Sequence, residues 1–329
     1  MILYTQEIGS FKKPDYLIKA YNDLKNLKDC QIKALKETLE YMESTGLDNI
    51  GVGGEMFRWE MYKHPISHLN GLRFYGQVRS FDNRYYEKAA IFKKLESLEN
   101  PYLEEFNYAV QFSKKDLKIP VTGPYTLMDW SFNEYYNNRE EILFDFAKIV
   151  RGNIKDLSHA WNRPEKLKVQ IDEPAATTHP SEMQIFKDAM NYTIKGLDIE
   201  AHLHVCYSSD YELLYKIIPD TDFYSFNLEY ANRDNTAVTA DRIGYKDLKL
   251  FSEYTDKRLG VGVIDVHTNF VEPVELIVSR LKYALKYLDP EKLTVNPDCG
   301  LRTRAREIAY KKLKNMVFAV KVLRKEYGI

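Results

Sequence analysis

His204 and Cys206 are separated by one residue in Glu200–Cys206, a short run whose composition predicts a β-strand. Residues two apart in a strand project from the same face, so both side chains could reach one ion. Glu229 and Cys299 follow other short apolar runs and offer a carboxylate and a second thiolate. One imidazole nitrogen, two thiolates and a carboxylate make a mixed donor set that suits zinc (Zn2+). H-x-C alone is a weak pattern, because buried Cys and His are more often packing residues. It is the position of both cysteines at the ends of predicted strands that turns the balance toward metal. His202 shares the same face one pleat earlier and reads as an interior histidine, with a ligand role as the alternative. Cys30 sits near the start of a predicted outer helix and is assigned no role. Three cysteines make no disulfide framework and point to a reducing compartment.

Ligands so far apart in sequence need a scaffold that gathers strand ends. Strands are expected at Tyr4–Ile8, Asp48–Val52, Lys118–Thr122, Leu167–Ile171, Glu200–Cys206, Asp222–Leu228, Leu259–Asp265 and Leu293–Asn296. Amphipathic helical patterns lie between most of them, including Gln31–Ser44, Pro273–Tyr287 and a closing helix over Arg302–Tyr327. This alternation predicts an α/β fold: a single TIM (β/α)8 barrel domain over residues 1–329, with no linker to mark a boundary. Residues 71–91 break the pattern and predict a β-hairpin insertion after strand two, turning at Asp82-Asn83. Polar residues follow the strand ends repeatedly: Gly9 and Ser10, Glu55, Trp130, Asp172, Glu229, His267 and Cys299. In such a barrel the functional groups gather at those ends, which predicts an active site there.

Composition removes several function classes. Lys and Arg total 47 against 48 Asp and Glu, so there is no net field suited to gripping nucleic acid or an anionic membrane. The first ten residues, MILYTQEIGS, lack a signal-peptide pattern, and no apolar run approaches the ~18 residues of a membrane span. A cytoplasmic location is expected. The 44% hydrophobic content suffices for a sizeable core.

Six separated motifs carry a resemblance. They are Glu7-Ile8-Gly9-Ser10-Phe11; Gly54-Glu55 with Arg58 and Met61; and Gly123-Pro124 followed by Trp130-Ser131-Phe132. The others are Gln170-Ile171-Asp172-Glu173-Pro174-Ala175, His202-Leu203-His204-Val205-Cys206-Tyr207 and Asn296-Pro297-Asp298-Cys299-Gly300-Leu301. Together they resemble, nearly end to end, the catalytic C-terminal domain of cobalamin-independent methionine synthase. Phe57 departs from the acidic residue usual at its position. The resemblance implies that His204, Cys206, Glu229 and Cys299 bind zinc, the same set that the residues themselves suggest. It also implies that Ile8, Gly9, Ser10, Glu55 and Asp172 bind homocysteine. Carboxylates would then pair with the amino group while backbone N–H groups and a hydroxyl hold the carboxylate. His267 matches the family's proton donor.

The expected activity is therefore methyl transfer to the thiol of homocysteine, forming methionine. Zinc coordination favours the nucleophilic thiolate, and His267 is a sensible acid because its ordinary pKa lies near working pH. Alternatives are a zinc methyltransferase for another thiol such as coenzyme M, and a non-catalytic zinc-binding barrel. Trp130 is either a core anchor or a stacking surface for a pterin or corrinoid face. Glu55 is a capping carboxylate by pattern and a substrate clamp by resemblance. Glu173 is read as a helix cap, and Asp298 as a residue that orients the Cys299 loop. The Phe81–Tyr86 segment, with Arg79 and Arg84, is either surface packing or part of the donor entrance. Longer family members carry an N-terminal barrel that helps bind polyglutamyl folate, whereas this sequence begins at the catalytic part. Methyltetrahydrofolate and a methylated corrinoid (methylcobalamin or a corrinoid protein) thus stand as competing donors. A separate partner protein in place of the missing barrel is a further expectation.

Overall fold

The computed structural model describes residues 2–79, 85–208 and 210–328. Its strands are β1 (Tyr4–Thr5), β2 (Leu69–Arg79), β3 (Tyr85–Ser97), β4 (Lys118–Thr122) and β5 (Phe132–Asn133). They continue with β6 (Leu167–Asp172), β7 (Ile199–Val205), β8 (Ser225–Leu228), β9 (Arg258–Ile264) and β10 (Leu293–Pro297). Seven form one parallel sheet in the order β1-β10-β9-β8-β7-β6-β4. Most of their residues are buried, as the apolar runs require when helices cover the outer face.

The sheet curls until its two edges approach a common residue. Asn49 pairs in parallel with Gln6 beyond β1 and with Asp116 just before β4. The expected strand Asp48–Val52 is thus not formed; one bridging residue stands in its place. The cause is local. The Asp48 carboxylate accepts from Thr5 N and Thr5 Oγ1, Asn49 Oδ1 accepts from Gly51 N, and Gly51 turns into the left-handed region at φ 59°. The segment bends away before a ladder can propagate.

Helices α1 (Asp15–Asp23), α2 (Leu27–Glu43), α3 (Lys63–Ile66), α4 (Leu103–Phe112), α5 (Pro124–Asp129) and α6 (Arg139–Ala160) lie in the first half. Helices α7 (Met183–Ile194), α8 (Glu212–Ile217), α9 (Leu248–Tyr254), α10 (Val274–Ala284) and α11 (Arg306–Glu326) follow. The Asn138 side chain caps α6 by accepting from Glu141 N, and α11 buries Ala309, Leu313, Met316, Val320 and Leu323 at helical spacing. The closing helix starts at Arg306 rather than at the expected Arg302. A turn closed by Arg304 N donating to Leu301 O precedes it, which leaves Arg302 and Thr303 in a loop.

Strands β2 and β3 pair antiparallel from Leu69↔Ser97 to Arg79↔Tyr85, and β5 adds to β3 in parallel. The paired segments reach well beyond the expected 71–91. The expected turn at Asp82-Asn83, with Phe81 and Arg84, lies outside the described residues. Among the described residues no helix is long and apolar enough to cross a membrane.

Candidate metal centre and substrate pocket

Strand β7 delivers His204 on its inner face, Cys206 follows it by one residue, and Cys299 follows β10. One ligand atom from each of these three residues lies within 4.8 Å of the others. His204 Nδ1 is 2.9 Å from the Asn227 carbonyl, which can only accept, so Nδ1 carries a proton and Nε2 is directed elsewhere. Nε2 is buried and has no hydrogen-bond partner. The thiols are unequal. Cys299 is held well below its ordinary pKa by its hydrogen bond from Cys206 and by His204, against burial. Cys206 is pushed up by sharing its proton with Cys299 and by burial. Burial works against a charged His204, yet the Cys299 thiolate outweighs it and raises the ring to about 9. An imidazolium–thiolate pair is a site whose protons a soft divalent cation would displace.

Glu229, just past β8, lies outside that close trio. It is fully buried. Its Oε2 accepts from Tyr207 N at 2.8 Å and Asn232 Nδ2 at 3.1 Å, whereas Oε1 has no hydrogen-bond partner. Oε1 sits 3.7 Å from His267 Nε2, and this carboxylate pushes the His267 pKa up against partial burial. One oxygen is fixed and the other faces His267.

The three close ligands open onto a cavity of about 320 Å³. Ile8, Gly9, Ser10, Glu55, Asp172, Trp130 and His267 all line it, so of the site residues expected from the sequence only Glu229 does not. Glu55 is aimed by three successive left-handed residues, Gly53, Gly54 and Glu55, at φ 76°, 81° and 62°. A non-glycine residue held there is strained, and such strain gathers at ligand clamps. Gly9 gives Glu55 its room, since a Cβ on Gly9 would lie 2.6 Å from Glu55 Oε1. Burial pushes Asp172 up to about 7 and also raises Glu55, although Arg58 opposes the latter. Two buried carboxylates on one cavity are costly as a pair, and a cation bound between them would relieve both.

Trp130 ends α5 and tilts against Tyr86 at 5.4 Å and Tyr62 at 6.2 Å between ring centroids, so it packs and lines the cavity at once. Glu173 takes no part in the cavity. It accepts from Tyr125 N, Thr126 N and Thr126 Oγ1, and so caps the neighbouring helix α5. His202 lies in a different cavity, with Glu200 accepting 3.0 Å from its Nε2.

The family described as "Cobalamin-independent synthase, Catalytic domain" matches residues 4–322. The chain belongs to the cobalamin-independent synthase catalytic-domain family. The curated methionine synthase of Thermoplasma acidophilum is 51% identical over 96% of this chain and 97% of its own length. That of Pyrococcus abyssi is 40% identical over 99% and 94%. Among solved structures, a B12-independent methionine synthase from Shewanella sp. W3-18-1, in complex with selenomethionine, superposes with a TM-score of 0.86. It is 23% identical and covers 99% of both chains, which shows a shared fold.

Within this family fold, several lining residues are ones to which the motifs assign no role. Trp59, Tyr207, Arg302 and Thr303 reach the cavity from loops. Arg302 and Thr303 directly follow the Asn296–Leu301 motif, and the helical pattern extended over them hid their role. Asp298, expected to orient the Cys299 loop, ties that loop to the turn after Glu229. Its Oδ1 accepts from Tyr230 N and Ala231 N and its Oδ2 from Asn232 N, so the two loops are fixed together.

Proposed function

We propose that this protein is a zinc-dependent methyltransferase that converts homocysteine to methionine in the cytoplasm. In this reading the curled sheet, with Asn49 as its eighth position, works as a (β/α)8 barrel carrying the β2–β3 pair as an insertion. The observation that carries the proposal is one cavity shared by the His204–Cys206–Cys299 trio and the two buried carboxylates Glu55 and Asp172. A thiol-binding centre beside an ammonium-binding pair fits an amino acid with a thiol at the end of its side chain.

Zinc held by His204, Cys206, Cys299 and Glu229 would supply the Lewis acidity that keeps a bound thiol ionised at neutral pH. Glu55 and Asp172 bind the substrate ammonium, and backbone N–H groups of Ile8–Ser10 with the Ser10 hydroxyl bind its carboxylate. These contacts hold the sulfur in line with the donor methyl. As the sulfur–carbon bond forms, the donor's bond to that carbon breaks and its electron pair stays on the donor. His267, which lines the same cavity, delivers a proton to a donor nitrogen that leaves as an amine. Trp130 offers a flat face to a donor ring.

The test supplies zinc-loaded protein with homocysteine and, separately, methylcobalamin or methyltetrahydrofolate, with coenzyme M as a competing thiol. Methionine is expected from homocysteine with at least one donor. Cys299→Ser and His204→Ala are expected to lose zinc and to lower turnover more than about a hundredfold. Variants that keep both zinc and turnover would overturn the assignment.

A further inference from the structure

The interior of the sheet is not filled by apolar side chains alone. Gln6, Lys118, Gln170 and Asn227 are all fully or almost fully buried there, and their polar groups satisfy one another in a single line. Lys118 Nζ donates to Gln6 Oε1 at 3.0 Å and to Glu7 O at 2.8 Å. Gln6 Nε2 then donates to Asn227 Oδ1 at 2.8 Å, and Asn227 Nδ2 to Gln170 Oε1 at 2.9 Å. At the far end Gln170 Nε2 uses both its hydrogens, one on Ile8 O at 2.8 Å and one on Asp172 Oδ1 at 2.7 Å.

The line has only one polarity. An ammonium donates, so Gln6 must turn its oxygen to Lys118 and its NH2 to Asn227. Each following amide is oriented by the one before it. The Ile8 carbonyl and the Asp172 carboxylate accept, which demands the same orientation from the opposite end. An amide is ambiguous in isolation, and here both ends resolve it in the same sense.

We infer that Gln170 is a positioning residue for the amino-acid end of the substrate, clamping Ile8 and Asp172 in one geometry under the orientation set by Asn227. The inference rests on the functional reading above, in which Ile8 and Asp172 contact homocysteine. Gln170 occupies one oxygen of Asp172, so the other is the one left for the ammonium. It also ties the Ile8 peptide, which precedes the carboxylate-binding Gly9 and Ser10, to the same strand. Asn227 joins this clamp to the metal centre, because its backbone carbonyl fixes His204 Nδ1.

The experiment measures binding of homocysteine and of propane-1-thiol, the same thiol without the amino and carboxylate groups, to zinc-loaded wild type, Gln170→Met and Asn227→Ala. Gln170→Met keeps side-chain length and removes the amide; Asn227→Ala alters a residue that does not line the cavity. Homocysteine is expected to bind tenfold or more weakly to Gln170→Met, about the effect of one charge-assisted hydrogen bond, and to weaken less for Asn227→Ala. Binding of propane-1-thiol and zinc content should stay within about threefold of wild type. Equal weakening for both thiols, or collapse of both variants, would assign these amides to stability and overturn the inference. Unchanged homocysteine binding by Gln170→Met would overturn it as well, leaving the functional reading intact. Wild type that binds neither thiol would sink that reading, and this inference with it.

Discussion

The Asp298 carboxylate shows how one side chain can set the position of another that it does not touch. It gathers three successive backbone N–H groups, Tyr230 and Ala231 on Oδ1 and Asn232 on Oδ2, at 2.9, 3.0 and 2.7 Å. Asn232 in turn donates through its side chain to Glu229 Oε2, so the orientation of Glu229 depends on Asp298. Groups that orient a ligand typically matter ten- to a hundredfold for metal affinity. Asp298→Ala is therefore expected to release zinc to a competing chelator about ten to a hundred times more readily than wild type. Asp298→Asn, which keeps one accepting oxygen, should fall between them; equal retention by all three would remove this role. The Asn296–Leu301 motif placed Asp298 beside Cys299 in sequence. Its actual partners lie 66 to 68 residues away, and no local pattern could name them.

At the scale of elements, the site depends on what happens just past each strand. Strands β6 to β10 fall close to their expected positions because a sheet buried on both faces needs continuous apolar runs, and those are visible in sequence. Asp48–Val52 has only Ile50 and Val52 as apolar residues and forms a single bridge at Asn49, because the Asn49 side chain takes Gly51 N and the chain turns there. The left-handed turn that follows it is decisive for the cavity. Gly54 has φ 81°, and a Cβ there would come within 2.5 Å of the Phe11 Cβ. Gly54→Ala should cost about 1–3 kcal/mol from conformation, more with the clash, and should displace Glu55. A lowered urea midpoint together with weakened homocysteine binding would report it. Gly76→Ala, where a new Cβ meets nothing within 4 Å and φ is not positive, serves as the neutral comparison.

At the scale of the whole molecule, buried acids make stability depend on pH. Burial raises Glu7 from 4.5 to about 8, with Lys118 opposing the rise and Glu55 and Asp172 adding to it; Glu7 Oε1 has no hydrogen-bond partner. Between those values the folded chain holds a proton that the unfolded chain has released. This contribution to stability is complete below about 4.5 and is lost as pH rises through about 8. Glu173, raised to about 8 mainly by burial, acts in the same direction. Metal-free Glu7→Gln is expected to show a shallower fall in unfolding free energy over that window, measured by urea titration at several pH values; an unchanged slope would exclude Glu7 as its source. The sequence by itself determined the chemistry on offer, through H-x-C, the Gln170–Ala175 motif and the Asn296–Leu301 motif, and through the apolar periods that make parallel strands. Those signals are local, because donor type and side-chain period belong to a few neighbouring residues. Only the tertiary structure decided that Asn49 bridges the two sheet edges, that Glu229 stands apart from the close trio, and that a line of amides runs from Lys118 to Asp172. Each of these depends on groups far apart in the chain meeting at hydrogen-bond distance, and only the curled sheet brings them there.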